Sequence, residues 1–137
     1  MSAEHEAVVR RFFEQMCNER KNDLAPELFT DDYVMHDPQV PTAHGPAGMV
    51  ETVKVYQEGV EGHWGVEEIF STGDRVVARW TGTGTHTGEL NGIPPTGKSV
   101  EVDAISIFRM RDGKIAEMWE VWDTLGFLQQ LGVVPAT

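Results

Sequence analysis

The chain has 137 residues, of which 40% are hydrophobic, and its 11 basic and 22 acidic residues give a net charge of −11 at pH 7. This length fits one domain, residues 1–137, and the apolar content is enough for a core, which excludes a disordered chain. The acidic balance excludes nucleic acids and anionic membranes as partners, because phosphate binding needs clustered Lys and Arg.

The N-terminal stretch MSAEHEAVV has no basic start and no apolar segment, so we expect no signal peptide and a cytoplasmic location. No apolar run approaches the roughly 18 residues of a membrane span. Cys17 is the only cysteine, which excludes an internal disulfide and a cysteine-based metal site. It lies beside Phe13 and Met16 in a predicted helix, and this position favours a packed thiol over a nucleophile.

The first half of the chain is predicted to be helical. Apolar residues at helical spacing indicate a first helix of about 18 residues: Val8, Val9, Phe12, Phe13 and Met16. A short helix is expected around Leu24 to Phe29, and TDDYVMHDP then leads into extended chain that ends at Pro38. QVPTAHGP is predicted to be a loop, and residues 47–59 return to helical spacing.

From His63 onward the apolar period changes to two, which is typical of strands. Two strands are predicted to meet at the turn Thr72–Gly73–Asp74, and NGIPPTGK forms a long turn. VEVDAISIFRMRDGKIAEMWEVWD predicts a hairpin around Asp112–Gly113. A last helix is expected over residues 124–131. Helices followed by an antiparallel sheet predict an α+β fold in which the helices lie against a curved sheet.

The last predicted strand raises the question of why an apolar face carries a carboxylate. With a period of two, one face of this strand holds Ala116, Met118, Glu120 and Trp122, and the other holds Ile115, Glu117, Trp119, Val121 and Asp123. If the first face lines a pocket, removal of water raises the pKa of Glu120, which then suits general acid–base catalysis. The alternative is a Glu120 exposed at the sheet margin.

Two histidines are further candidates. His36, in YVMHDP, is either an exposed or loop-capping side chain or a functional one. His86, in GTGTHTG, shares a strand face with Trp80 and two glycines that leave open space, so we expect it to face the same cavity as Glu120. GTGTHTG does not match a dinucleotide-binding loop, and no G-x-S-x-G motif is present. Metal binding by His36, His44 and His86 is conceivable, but no metal-site spacing supports it.

Three stretches of the sequence carry a family resemblance: DLAPELFTDDYVMHDP, GELNGIPPTGKSVEVD and FRMRDGKIAEMWEVWDTLGFLQQLG. Through them the chain resembles the SnoaL-like polyketide cyclases, within the nuclear-transport-factor-two-like folds, over almost its whole length. The resemblance implies a cone-shaped α+β barrel, with N-terminal helices packed in a strongly curved antiparallel sheet and a pocket at the open end.

Cyclases of this family close the last ring of an aromatic polyketide ester by an intramolecular aldol reaction, without a cofactor. Their acid–base residue is an Asp on the last strand, and the resemblance aligns it with Glu120, whose side chain is one methylene longer. His36 and His86 match histidines of the family. Ser106 and Ala104 stand where the family places a His and a Gln beside its carboxylate.

The leading hypothesis is therefore a cofactor-independent, polyketide cyclase-like enzyme acting on a flat, apolar, carbonyl-bearing small molecule. Glu120 would be the general acid and base, with His36 and His86 as polar catalytic partners. The substrate wall is expected to comprise Phe13, Trp80, Ser106, Met118 and Trp122, and no metal is expected. Asp123 is expected to cap the last helix, with orientation of His36 as its alternative role.

Two other classes of function stay open. One is a ketosteroid-isomerase-like or epoxide-hydrolase-like enzyme that uses the same carboxylate on a steroid- or terpene-like ligand. The other is a non-catalytic small-molecule-binding dimer, because Ser106 and Ala104 leave few donors beside Glu120. A homodimer or a dimer of dimers is expected, since Ile115, Trp119 and Val121 would form an apolar strip on the face opposite the cavity.

Overall fold

The computed structural model of the chain describes residues 2–38 and 42–135, and its first half is helical as predicted. Helix α1, Ser2–Arg11, continues without a break as a π-helical segment, Phe12–Asn18. A 3₁₀ turn, Asn22–Leu24, leads into helix α2, Ala25–Leu28, and then into strand β1, Phe29–His36. Strand β2, Ala43–His44, precedes helix α3, Gly45–Gly59.

The second half forms the sheet. Its strands are β3, Val60–Thr72; β4, Arg75–His86; β5, Ser99–Arg111; and β6, Lys114–Trp122; helix α4, Thr124–Leu131, follows. Both predicted hairpin turns are confirmed. The β5–β6 turn has positive φ at Asp112 (52°) and Gly113 (75°), as a two-residue turn that matches the strand twist requires.

The six strands form one curved, unclosed sheet in the order β2-β1-β6-β5-β4-β3. The predicted α+β class is confirmed, but the sheet is not wholly antiparallel, because β1 runs parallel to β6. A parallel pair needs a long crossover, and here α3 and the strands β3 to β5 supply it. No local pattern in the sequence could have indicated this distant pairing.

Part of the predicted loop QVPTAHGP is a strand. Residues 39–41 lie outside the described part of the chain. Ala43 and His44 form β2, which pairs with Met35 and Val34 of β1 and so extends the sheet by one short edge strand. A two-residue strand has no periodicity of its own, which is why the sequence predicted only a loop here.

The expected exposure of Ile115 is wrong. Met110 pairs with Ile115, and Arg109 pairs with Glu117, so Ala116 is an extra residue that makes a bulge in β6. A bulge changes the side-chain alternation, and Ile115 therefore turns inward, where it is 0% exposed. The predicted alternation holds after the bulge, from Glu117 to Trp122.

The core has two parts that meet at Trp122. The larger part lies between α1 and the sheet and includes edge-to-face and tilted aromatic contacts among Phe12, Phe13 and Phe108. The smaller part includes Phe127 of α4. Within the described residues, no helix is both long enough and apolar enough to span a bilayer.

Candidate active site

An apolar cavity of about 100 Å³ lies between the helices and the sheet. The π-helical segment, helices α3 and α4 and all strands except β2 contribute to its wall. Seven Phe, Tyr and Trp side chains line this wall: Phe12, Phe13, Tyr56, Trp64, Trp80, Trp122 and Phe127. Sites for small apolar molecules are typically of this kind, with a few polar groups that fix the orientation of the ligand.

Glu120 of β6 is one of those polar groups. Part of the residue stays accessible, but its carboxyl group is enclosed, and this burial raises its pKa from 4.5 to about 7. Removal of water disfavours the charged carboxylate, since no bulk solvent stabilises it. The carboxyl group can therefore both accept and return a proton near neutral pH, as an acid–base catalyst must.

A chain of hydrogen bonds holds this carboxyl group in place. Trp80 Nε1 donates to Ser106 Oγ at 3.0 Å, and Ser106 Oγ donates to Glu120 Oε1 at 2.9 Å. Ser106 is 0% exposed and pairs with Glu120 across β5 and β6. The serine bond stabilises the carboxylate and so partly opposes the effect of burial on the pKa of Glu120.

Asp37 is a second carboxyl group at this site, and the sequence analysis did not select it. It hydrogen-bonds to Glu120, and its charge and this bond both raise the pKa of Glu120. The alternation in YVMHDP contained the signal, because Tyr33, Met35 and Asp37 are buried while Val34 and His36 are less so. Asp37 therefore shares the inner face of β1 with two core residues.

Tyr56 of α3 adds a neutral donor. It lines the cavity, and its ring meets Trp122 edge to face at 5.9 Å between centroids. Burial, followed by the charges of Asp37 and Glu120, raises its pKa to about 12, so the phenol keeps its proton. Cys17 also borders the cavity, and burial raises the pKa of its thiol well above 9.0. This agrees with the predicted packed thiol.

The structure brings together most of the predicted wall. Phe13, Trp80 and Trp122 line the cavity. Ser106 lies behind Glu120 and acts through its hydrogen bond to it. Met118 is 0% exposed in the core and is not among the lining residues, so its expected place in the wall is corrected.

His36 is not placed in the cavity. Its Nε2 lies 2.7 Å from Glu117 Oε2, its ring stacks on Trp119, and its side chain is 42% exposed. It borders a groove on the outer side of the sheet, which also touches Asp37 and Glu120. The odd–even alternation of β1 explains this, since His36 points away from Tyr33 and Met35.

His86 is also outside the cavity, contrary to the expectation from its strand face. The strand β4 contributes Trp80, Gly82 and Thr83 to the wall, and it carries His86 beyond the end of the cavity. There His86 is 0% exposed; Nδ1 accepts from the Thr96 backbone N–H at 3.2 Å, and Nε2 has no hydrogen-bond partner. Its contacts are those of a buried structural side chain.

Asp123 has the predicted capping role, because its Oδ1 accepts from Gly126 N–H at 2.9 Å at the start of α4. Within residues 2–38 and 42–135, no group of three or more His, Cys, Asp or Glu side chains has the arrangement of a metal site. The polar side chains that line the cavity include the carboxyl group of Glu120, hydroxyl groups, the Cys17 thiol and the His63 imidazole.

Comparisons with known proteins identify the family of the chain. The family model for the SnoaL-like polyketide cyclase matches residues 7–131. Aklanonic acid methyl ester cyclase DnrD from Streptomyces peucetius is 30% identical over 129 residues, which cover 91% of this chain and 88% of that protein. The cyclase DauD from Streptomyces sp. (strain C5), which has the same descriptive name, is 33% identical over 132 residues, with 91% and 80% coverage.

A solved structure shows the same fold. TsrD from Streptomyces laurentii superposes with a TM-score of 0.86 at 28% identity, and the match covers 96% of this chain and 97% of that one. The predicted family resemblance is confirmed by the sequence match and by the shared fold. The chain belongs to the SnoaL-like polyketide cyclase family.

Proposed function

We propose that this enzyme closes a ring in an apolar, carbonyl-bearing small molecule by an intramolecular aldol reaction, with Glu120 as the general acid and base. The observation that carries the proposal is the enclosed carboxyl group, whose pKa of about 7 lies near neutral pH, in the wall of an aromatic cavity. A carboxyl group with an ordinary pKa would be too weak a base and too rarely protonated to serve both steps.

The reaction uses one proton twice. The Glu120 carboxylate takes a proton from a C–H group flanked by carbonyls, and the resulting enolate carbon attacks a ketone of the same molecule. A carbon–carbon bond forms while the ketone π bond opens to an alkoxide, which receives the proton back from Glu120. The product is an isomer of the substrate, so no cofactor or co-reactant is consumed.

Negative charge develops on carbonyl oxygens during both steps, and hydrogen-bond donors must meet it. Ser106 and Ala104 cannot supply all of these donors, because Ser106 already donates to Glu120. The Tyr56 phenol lines the cavity on the helix side. Because its pKa is raised to about 12, it stays protonated at neutral pH and supplies a neutral hydrogen-bond donor. This donor favours the enzymatic hypothesis over a purely binding one.

The proposed substrate class is an aromatic polyketide ester. Two curated relatives are named as aklanonic acid methyl ester cyclases, and they match 91% of this chain. The aromatic wall described above suits a flat, fused ring system, because stacked and edge-on ring contacts stabilise such a ligand. Aklanonic acid methyl ester is therefore the probe of choice.

The test is turnover of aklanonic acid methyl ester by the wild type and by Glu120→Gln. General acid–base catalysis contributes about 10²–10⁴-fold, so we expect the variant to lose at least about 100-fold in kcat. Formation of the ring-closed isomer is followed by chromatography, because substrate and product have the same mass. Glu101→Gln, an exposed site on β5, is the matched control and should keep the wild-type rate.

Undiminished turnover by Glu120→Gln, with circular dichroism showing a folded variant, would remove Glu120 from the mechanism. If the wild type binds the probe tightly but returns it unchanged, the aldol reaction on this substrate class is contradicted. That second result would instead support the alternative of a binding protein.

We also propose that two copies of the chain pair through the outer face of the sheet. Several large apolar side chains are exposed on its strands: Phe70 (52%), Ile105 (47%), Ile107 (38%) and Val121 (58%). Ile105 and Val121 are cross-strand neighbours, so the apolar strip is continuous there. A two-fold symmetric pair would bury the same strip from both copies.

A further inference from the structure

The parallel pairing of β1 and β6 places two carboxyl groups side by side. His36 pairs with Trp119, and the two rings stack with 5.7 Å between centroids on the outer side of the sheet. The next residues on the two strands are Asp37 and Glu120. Because successive side chains of a strand alternate between faces, both carboxyl groups turn away from the stacked rings and meet in a hydrogen bond.

The surroundings do not compensate two negative charges at this point. Asp37 is only 9% exposed. The described residues that line the cavity and the outer groove include no Lys or Arg. The other titratable groups that face the pair are two phenols and a thiol, which burial keeps protonated, and two imidazoles: Tyr33 of β1, Tyr56 of α3, Cys17 of the π-helical segment, His63 of β3, and His36 on the groove side.

We propose that Asp37 is a positioning residue that shares one proton with Glu120 through the wall between the cavity and the outer groove. Two hydrogen-bonded carboxyl groups without a cation do not readily both ionise, so the pair keeps one proton up to about pH 7. Glu120 borders both the cavity and the groove, whereas Asp37 borders the groove and is not a lining residue of the cavity. Only Glu120 can therefore meet the substrate.

The charge of Asp37 prepares Glu120 for its first step. Once the pair has lost its shared proton, near pH 7, the Glu120 carboxylate still accepts a hydrogen bond from Ser106 Oγ and takes a proton from the substrate C–H. The pair then holds that single proton until Glu120 returns it to the alkoxide, so the proton count is unchanged over a cycle. This role in turnover rests on the proposed function, whereas the shared proton is measured without any substrate.

The experiment is a pH titration of the Glu and Asp side-chain carboxyl carbons by ¹³C NMR, in the wild type, Asp37→Asn and Asp31→Asn. Asp31 lies exposed on the same strand and provides the matched loss of one charge. We expect the wild-type Glu120 signal to titrate in two coupled steps. In Asp37→Asn it should titrate in one step, with its midpoint about one pH unit or more lower, because the neighbouring charge is gone.

Asp31→Asn should keep the wild-type curve, and so should His36→Gln, which removes the imidazole beside the pair. The shared proton is refuted if the Glu120 midpoint in Asp37→Asn equals the midpoint in Asp31→Asn. It is also refuted if His36→Gln abolishes the two-step curve. Should Asp37→Asn fail to fold, the reciprocal variant Glu120→Gln decides, because Asp37 must then titrate in a single step. Persistence of two steps there refutes the pair.

Turnover gives a separate readout. If the probe is a substrate, the acidic limb of the kcat/KM profile should move to lower pH in Asp37→Asn and stay in place in Asp31→Asn. A shift of the NMR midpoint without any turnover would support the shared proton and contradict the proposed function. Turnover whose acidic limb does not shift in Asp37→Asn would support the proposed function and contradict the shared proton.

Discussion

Ionisation of Glu120 places a charge in an apolar wall, and this destabilises the folded state but not the unfolded state. In the unfolded chain the carboxyl group faces water and its pKa returns to about 4.5, whereas in the folded chain the pKa is about 7. The folded-state pKa is raised, so the stabilising contribution is present below pH 4.5 and is lost as the pH rises through 7. The Glu120 carboxyl group therefore destabilises the fold at neutral pH.

Glu120→Gln should remove this loss. The pKa difference corresponds to roughly 3 kcal/mol, so the free energy of unfolding of the wild type should fall by about that much relative to the variant between pH 4 and pH 8. Urea unfolding of both proteins across this range measures the difference. Parallel curves for the two proteins would show that the carboxyl group is solvated rather than buried.

At the scale of single elements, the end of β6 and the start of α4 are set by one side chain. Asp123 follows the strand directly, and its carboxylate accepts from Gly126 N–H in the first turn of the helix. The backbone N–H of Asp123 donates to the Asp103 carbonyl at 3.1 Å, which ties this junction to β5. Helix α4 then places Phe127 against Trp122 at the cavity wall.

Asp123→Ala removes the cap and should lower the free energy of unfolding by about 1 kcal/mol, the usual cost of a lost N-cap. Asp123→Ser keeps an acceptor at the same position and should lose clearly less. Urea unfolding with equal m-values compares the three proteins. Equal losses for Ala and Ser would mean that the carboxylate does something other than capping, such as the alternative of orienting His36.

For the whole molecule, the sheet separates an inner surface from an outer surface, and the two differ in composition. The inner surface carries the cavity, and the outer surface carries the exposed apolar strip together with the His36–Glu117 pair and the Arg109–Glu117 pair. With a net charge of −11, separate copies repel each other over most of their surface. The proposed pairing of two copies therefore has to rely on the apolar strip.

Val121→Asp should shift the chain to a monomer, since it puts a charge in the middle of the proposed interface. Size-exclusion chromatography with light scattering at micromolar concentration measures this. Val133→Asp is the control, because Val133 is also exposed (46%) but lies beyond α4, away from the sheet. A wild type that is already monomeric would overturn the dimer.

The order of the elements other than β2, both hairpin turns and the capping of α4 could be predicted, because they depend on residues close together in the chain. The period of two also predicted which residues of β6 share a face with Glu120. It failed at Ile115, since a bulge in β6 depends on how that strand pairs with β5. The family resemblance pointed to Glu120, and burial at the cavity raises the pKa of that residue.

The sequence by itself determined the α+β class, the family and the choice of Glu120 as the candidate carboxylate, since periodicity, turn residues and motifs are local properties of the chain. Only the tertiary structure decided that His36 and His86 lie outside the cavity, that Tyr56 lines it, and that Asp37 forms a hydrogen bond with Glu120. These outcomes depend on the parallel pairing of β1 with β6 and on where each strand ends relative to the cavity. The physical reason is that burial and charge–charge contact arise between residues far apart in sequence, and they come into existence only when the sheet has formed.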